Sequence, residues 1–571
     1  MKIRNALSCI LLCWPGWLAV SAQTQPESGI PYLRKQGTAT QLIVGGKPFL
    51  LLAGELTNNS ATSVEYMKPV WSKLTEAKLN TVLAGVGWNQ IEPEEGRFDF
   101  SALDGVIQGA RSHNLRLVLL WFASWKNGLS SYPPDWVKRD FERFPRAQIA
   151  EGRSIELLSP LSDANRDADA RAFAALMRHV KEVDGGQHTV IMIQVENEVG
   201  ISGDSRDRSP VANAAYARPV PKELMDYLQR HKDTLIPEFR QVWDAAGCKT
   251  SGTWEGVFGR NAATDEIFMA WNYARYIGRV AAAGKAEYRL PMYVNAALGR
   301  TSTIADIAAR QTEAGRAGRS FAIGGPMDDL MDVWRAGAPE IDMLSPDAYS
   351  DRDFVAWCAR YARSGNPLFI PENMGGPDGA ARALYVFGRH DAIGWTVMGI
   401  EDPRIPHPDN DLMGSFDAIA QLAPLIAEHQ GKGTMSAVLL RGPNDPPQKV
   451  LLGNYALEAA FYSQPKMFGV PPPQGPPPPA AAILIATGPE EYIAAGSGVT
   501  ARFSPVTPGP AHAGLATVEE GAFVDGRWVP GRRLNGDDSD EGNFVMLEKS
   551  GCCWPPASTK SIQRFTLYRY R

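Results

Sequence analysis

Cysteine and histidine are scarce in this chain, six and eight among 571 residues, and they do not cluster at the spacings of metal ligands. That leaves out a zinc-organised fold and a thiol-based active site, and it implies neither a metal nor an organic cofactor. No GxGxxG, GxxxxGKS or GxxxxGKT turn follows any apolar run, which argues against an open nucleotide-binding sheet. Neither sign of charge dominates: 58 basic and 63 acidic side chains leave a net charge of -5, so no nucleic acid or other strongly charged partner is expected. Past the first 22 residues no apolar stretch approaches the ~20 residues of a membrane span, so no membrane association is expected once that segment is gone.

The first 22 residues read as a secretory signal: Lys2 and Arg4 precede an apolar stretch from Ala6 to Val20, and Val20-Ser21-Ala22 offers a small-residue exit. The mature chain is therefore expected in the periplasm or outside the cell. Cys9 and Cys13 leave with the signal, and no pairing is assigned to Cys248, Cys358, Cys552 or Cys553. From 23 to 433 short β-branched runs alternate with longer amphipathic segments, the pattern of repeated βα units. Eight runs stand out, at 49–54, 79–86, 115–121, 189–195, 291–296, 341–346, 366–371 and 392–398. Helical patterns lie between them, among them 63–78, 101–113, 166–183 and 352–365. Eight units predict a (β/α)8 barrel, in which the insertion at 200–290, with a long helical pattern at 224–247, overhangs the active-site mouth. From 434 to 571 the texture turns to short strands punctuated by Gly, Pro and Asp-Gly, which predicts an antiparallel β-sandwich. The proline run at 469–482 reads as a stiff loop inside it.

Barrel enzymes carry their chemistry at the C-terminal ends of the strands. There the fourth run ends in Glu196-Asn197-Glu198 and the seventh in Glu372, on opposite sides of one cavity. Two carboxyl groups across a cavity are the minimum for glycoside hydrolysis, at ~5 Å for retention and ~6.5 to 9.5 Å for inversion. On an extended strand Glu196 and Glu198 share a face, making Glu196 either a deeper site carboxylate or a buried acid paired to an arginine. Sugars offer apolar C-H patches beside hydroxyls, so Trp88, Asn89, Trp121, Trp125, Lys126, Asn127 and Trp395 at strand ends, with Trp254 and Phe258 in the insertion, are candidate contacts. Each tryptophan has the alternative of a core position, and His407 is either a cavity or a surface histidine.

The stretches "QVENEVG", "IPENMG", "GWNQIEPEEGRFDFSALDGVI" and "LVLLWFASWKNG" resemble the clan of retaining barrel glycosidases with an Asn-Glu acid/base after the fourth strand, and within it glycoside hydrolase family 35, the β-galactosidases. The region after 433 resembles the β-rich domain appended to a bacterial branch of that family. The resemblance implies that Glu198 is the general acid/base, Asn197 the amide that bonds the sugar 2-hydroxyl, and Glu372 the nucleophile. It also implies that Glu55 and Asn58 contact the sugar and that Tyr349 bonds the nucleophile, the alternative for Tyr349 being a core tyrosine. Family members carry a "CAEW"-like turn after the third strand and a "GSxHY"-like turn after the first, where this chain has "FASWKNG" and "GELTNNS". The expected substrate is a terminal β-galactoside of plant oligo- or polysaccharides, with xyloglucan side chains in view. Another glycosidase of the clan and a non-catalytic carbohydrate-binding barrel are the alternatives.

Overall fold

The computed structural model describes residues 29–299, 302–309, 322–350, 352–402, 410–462, 477–539, 542, 544–547 and 560–571. The leader at 1–22, His407, Cys552, Cys553 and the greater part of the proline run lie outside them.

Eight parallel strands follow one another around a ring: β1 (Leu51–Glu55), β2 (Thr81–Gly87), β3 (Arg116–Lys126), β4 (Val190–Asn197), β5 (Met292–Ala297), β6 (Met343–Asp347), β7 (Phe369–Ile370) and β8 (Gly394–Met398). β8 pairs back onto β1 through Gly394 and Leu51, and a parallel bridge from Asp347 to Glu372 joins β6 to the end of β7. The sheet is thus a closed (β/α)8 barrel, and every expected strand is present within a few residues of its place. Alternation along each strand separates two apolar layers. Leu51, Ala53, Leu83, Val118, Leu120, Tyr293, Met343 and Phe369 fill the interior. Leu52, Val82, Leu117, Leu119, Val195, Val294 and Leu344 face the surrounding helices.

A small antiparallel sheet (Tyr32–Gln36, Ala39–Val44, Lys47–Pro48) precedes the barrel and sends Leu42 and Val44 into its interior cluster. The periodicity did not single it out. Two helices matter to the site: α1 (Asp163–Asp184), capped by the Ser162 hydroxyl, and α2 (Ala262–Glu287). The single helix expected at 224–247 is two, Lys222–Arg230 and Pro237–Ala245. Pro237 starts the second, as its missing N–H and fixed φ favour.

After α3 (Gly376–His390) and α4 (Asn410–His429), ten antiparallel strands form a six-stranded and a four-stranded sheet. They enclose a core that includes Val438, Leu440, Leu457, Phe503 and Phe565, so this part is an antiparallel sandwich. Its longest hairpin turns at Asp525-Gly526, both with positive φ, as a two-residue hairpin requires. The strand before the proline run (Tyr455–Phe461) belongs to the smaller sheet and the one after it (Ala480–Ala486) to the larger, so the run links the two sheets. The barrel meets the sandwich at Gly388, where a Cβ would stand 2.7 Å from Ala437 Cβ, and at Phe523 N–H, which donates to Gln421 Oε1 (3.0 Å). Among the described residues no helix is long and apolar enough to cross a membrane.

Candidate active site

The end of β4 sets the geometry. Trp121 of β3 pairs with Val195, but the next paired residues are Lys126 and Asn197, so 122–125 bulge out opposite a single residue. Bulges re-aim side chains and leave backbone donors without ladder partners. Here the Glu196 carboxyl takes both, from Ser124 N–H at 3.0 Å and Trp125 N–H at 2.8 Å. Glu196 and Glu198 have left-handed backbones, φ 62° and 45°. The extended-strand rule therefore fails, and the two acids do not share a face. Glu196 turns outward and its partner is Asp169 of α1, neither a sugar site nor an arginine.

Asn197 and Glu198 turn the other way. Lys126 Nζ donates to Asn197 Oδ1 (2.9 Å), and Asn197 Nδ2 donates to Glu372 Oε1 (3.3 Å). Asn295, at the end of β5, accepts from Glu198 N–H (3.0 Å) and donates to Asp347 Oδ2 (2.8 Å) and Glu372 Oε1 (3.3 Å). Tyr349 O–H donates to Glu372 Oε2 at 2.7 Å. One carboxylate oxygen each from Glu198, Asp347 and Glu372 lie within 4.8 Å of one another. Oxygens at that spacing are also the donor set a hard cation takes. Those of Glu372, however, already accept from Asn197, Asn295 and Tyr349, so its lone pairs are directed at protein donors.

Charge in this confined space is managed by proton retention. Burial, then the charge of Glu372, raises the Glu198 carboxyl above its ordinary range, against Lys126 and a hydrogen bond from Asp347. Asp347 and Glu55 are raised well above theirs for the same two reasons, burial being the larger. Burial and the Glu372 charge also push up the Tyr349 hydroxyl, which keeps it a donor. Several buried acceptors and donors have no partner among the described residues: Glu55 Oε1, Asn58 Oδ1, Asp347 Oδ1 and Tyr293 O–H. Such groups favour a polar, hydroxyl-rich ligand.

The other candidates divide. Lys126 is inside the barrel, 4.9 Å over the Phe122 ring. Glu55 ends β1 in the same interior, and Asn58 follows it. Asn89 and Asn127 are exposed and donate only backbone N–H to neighbouring loops, to Tyr132 O and Asn197 O. The tryptophans are not where a sugar would be. Trp121 and Trp125 project into the layer between barrel and helices: the first donates to Asp169 Oδ1 and packs on Phe173, the second donates to Leu158 O and packs on Tyr273 and Tyr276. Trp395 packs edge-on against Phe354 in that layer, and Trp88 bonds Glu92 and meets Trp136 edge-on. Trp254 packs tilted against Phe258 and edge-on against Phe268 inside the insertion. All five are at most 2 % exposed. They are corrected to core residues, as is Phe258: outward register hands Trp121, Trp125 and Trp395 to the helices, and Trp88, Trp254 and Phe258 lie in short helices whose apolar sides pack inward. Asn295, Asp347 and Tyr293 were missed, although a polar residue inside an apolar run such as "MYVNA" was the signal. Glu401 was missed too; it accepts from Thr57 N–H and Oγ1 and from Ser60 Oγ, and so braces the loop carrying Asn58.

Residues 60–256 match the family model described as Beta-galactosidase, glycoside hydrolase family 42, and residues 412–546 match a domain of unknown function, DUF5597. The first match includes Asn197 and Glu198 and ends before Asn295, Asp347 and Glu372. A β-galactosidase of Xanthomonas manihotis is 30% identical over 223 residues, 38% of this chain and 34% of that protein. The chain thus spans about a third of the length of the curated relative it matches. Among solved structures, the β-galactosidase of Rahnella sp. R3 aligns with TM-score 0.43 and 16% identity, over 67% of this chain and 57% of that one. The catalytic domain of β-amylase from Paenibacillus polymyxa aligns with TM-score 0.41 and 12% identity, over 64% and 96%.

Proposed function

We propose that the protein is a retaining exo-β-galactosidase in which Glu372 is the nucleophile and Glu198 the acid/base. The observation that carries this reading is the approach of the Glu198 and Glu372 oxygens to within 4.8 Å at the C-terminal end of a closed barrel. Retention takes carboxyl groups about 5 Å apart, and an approach of one oxygen from each to within 4.8 Å favours it over inversion, which needs about 6.5 Å or more for an intervening water. In the first step a Glu372 oxygen attacks the anomeric carbon while Glu198 gives its proton to the departing glycosidic oxygen. The galactosyl–Glu372 ester forms and the aglycone leaves neutral. Glu198, now ionised, takes a proton from water, which attacks the same carbon and frees Glu372. Asn197, held by Lys126, is aimed at the sugar 2-hydroxyl, and Tyr349 and Asn295 orient the nucleophile.

The galactoside substrate is supported by the match over 60–256 and by the Xanthomonas relative. The family 35 motifs and the family 42 model are read together as membership of one clan of retaining glycosidases. Plant oligosaccharides, including galactosylated xyloglucan, are the proposed source of substrate. The leader motif supports a periplasmic or secreted location, with the barrel at 23–433 as catalytic domain and 434–571 as its sandwich partner. The test is Glu372→Ala on an aryl β-galactoside: a loss of at least ~10⁴-fold in kcat, with azide restoring turnover as α-galactosyl azide. Near wild-type turnover by that variant, or β-configured azide product, overturns the assignment. Release of galactose alone from xyloglucan oligosaccharides supports exo action on that source.

A further inference from the structure

Beneath the site lies a second pair of acids that the double displacement does not use. Glu196 and Asp169 are fully buried, 1 % and 0 % exposed, and hydrogen-bond carboxyl to carboxyl. Such a bond needs one proton between them, and the surrounding donors decide where it sits. Asp169 accepts from Trp121 Nε1–H (2.9 Å) and Ser124 Oγ–H (2.7 Å), while Tyr276 O–H lies 2.6 Å from Ser124 Oγ and supplies that hydroxyl's remaining bond. With its own acceptors engaged by donors, Asp169 is the carboxylate. Glu196, which needs only one lone pair on each oxygen for the Ser124 and Trp125 amides, carries the proton and donates it. Tyr276 of α2 is the other titratable group against the pair, and burial with the two acids pushes its hydroxyl up, so it stays neutral.

The pair joins three elements that must agree. Glu196 belongs to β4, its amide donors to the β3 bulge, and Asp169 to α1. One residue beyond each end of the Glu196–Trp125 bond stand Asn197 and Lys126, whose own 2.9 Å bond leads to Glu372. We infer that the Glu196–Asp169 acid pair is a positioning device that fixes the β3 bulge and the left-handed turn at Glu196, and thereby sets Lys126, Asn197 and Glu198 at the substrate. Neither acid touches substrate. Without Glu196 the Ser124 and Trp125 amides lose their acceptor and Asp169 faces the bulge unneutralised, so the strand ends shift. Displacements of about 1 Å cost on the order of 10²-fold in rate.

The inference rests on the function proposed above, so wild-type turnover of an aryl β-galactoside is the prior control; if that is absent, the function has failed and not the inference. Given turnover, Glu196→Gln and Glu196→Ala are compared. Glutamine supplies an N–H for the Asp169 bond, but the Ser124 and Trp125 amides bond different Glu196 oxygens, so its single carbonyl keeps one of them and its amide nitrogen faces the other. It is expected to lower kcat by on the order of tenfold, whereas alanine, which keeps none of these bonds, lowers kcat by on the order of 10²-fold, with KM changed less than tenfold in both. Melting curves establish that both variants are folded at the assay temperature. If the alanine variant does not fold, Asp169→Asn decides. Its amide group must face either the Trp121 N–H or the Ser124 O–H, so it too lowers kcat by on the order of tenfold with KM changed less than tenfold. An alanine variant with near wild-type kcat, a glutamine variant as impaired as alanine, or an Asp169→Asn variant with near wild-type kcat overturns the inference.

Discussion

Glu196 and Glu198 are two residues apart and occupy different worlds. On the cavity side, Glu198, Asp347, Glu372 and Glu55 are crowded around Lys126, and among the described residues Glu55 Oε1 and Asp347 Oδ1 have no partner. On the helix side, Glu196 and Asp169 accept backbone, indole and hydroxyl donors at 2.7 to 3.0 Å. A strand buried on both faces can thus carry acids on both, used oppositely: under-bonded where a ligand must compete for them, saturated where the backbone must be held. Burial is common to both acids, so it is the supply of fixed donors that separates Glu198 from the structural Glu196, while Glu372 takes its donors from Asn197, Asn295 and Tyr349 on the cavity side.

The largest effect that would break this contrast is expected on the cavity side. Glu198→Ala should reduce turnover of alkyl β-galactosides by on the order of 10²–10⁴-fold. Aryl galactosides with acidic leaving groups should lose far less, because they need little protonation. Equal losses for both classes, measured as kcat/KM across a leaving-group series, would show that Glu198 is not the proton donor.

The helix side should respond in stability instead. Trp254→Ala removes a ring packed on Phe258 and Phe268 and should cost about 3–5 kcal/mol, seen as a lower melting temperature, with KM for galactosides within twofold. A large rise in KM without a change in melting would return this tryptophan to the substrate. The tryptophans show where sequence periodicity stops. It located all eight strands because each is apolar on two faces and so forms an uninterrupted run. It did not tell interior from exterior at Trp121 and Trp125, since that depends on the β3 register and on the bulge before Lys126, which only pairing with β4 defines. The bulge is also why Glu196 escaped assignment. Glu198, Glu372, Asn197 and Tyr349 converge because each ends or follows a strand, a position the alternating pattern marks. Asn295 lies inside its expected run and Asp347 directly follows one, and their part emerges only when the ring closes and brings β5, β6 and β7 together.

Tyr349→Phe should have a smaller effect. A hydrogen bond to a charged group contributes about 1.5–3 kcal/mol, so losing the 2.7 Å bond to Glu372 should lower kcat roughly ten- to a hundredfold. Melting should hardly change, because Tyr349 is 37 % exposed. A variant with unchanged kcat would mean that Asn197 and Asn295 suffice to hold the nucleophile.

The smallest expected effect is a shift in one proton equilibrium. Two causes raise the Glu198 carboxyl, burial first and the Glu372 charge second. Since the free enzyme needs Glu198 protonated, kcat/KM should fall as pH rises through that elevated pKa. Esterifying Glu372, for instance with a 2-deoxy-2-fluorogalactosyl group, removes the second cause and leaves the first. The Glu198 pKa should then drop while staying above the ordinary carboxyl range, a change that ¹³C NMR of labelled glutamate can follow. The direction matters to the mechanism: the same side chain must hold its proton before the sugar is transferred and take one from water afterwards. If the pKa rose on trapping, or did not move, Glu198 would not be coupled to Glu372, and its contrast with Glu196 would have to rest on exposure alone.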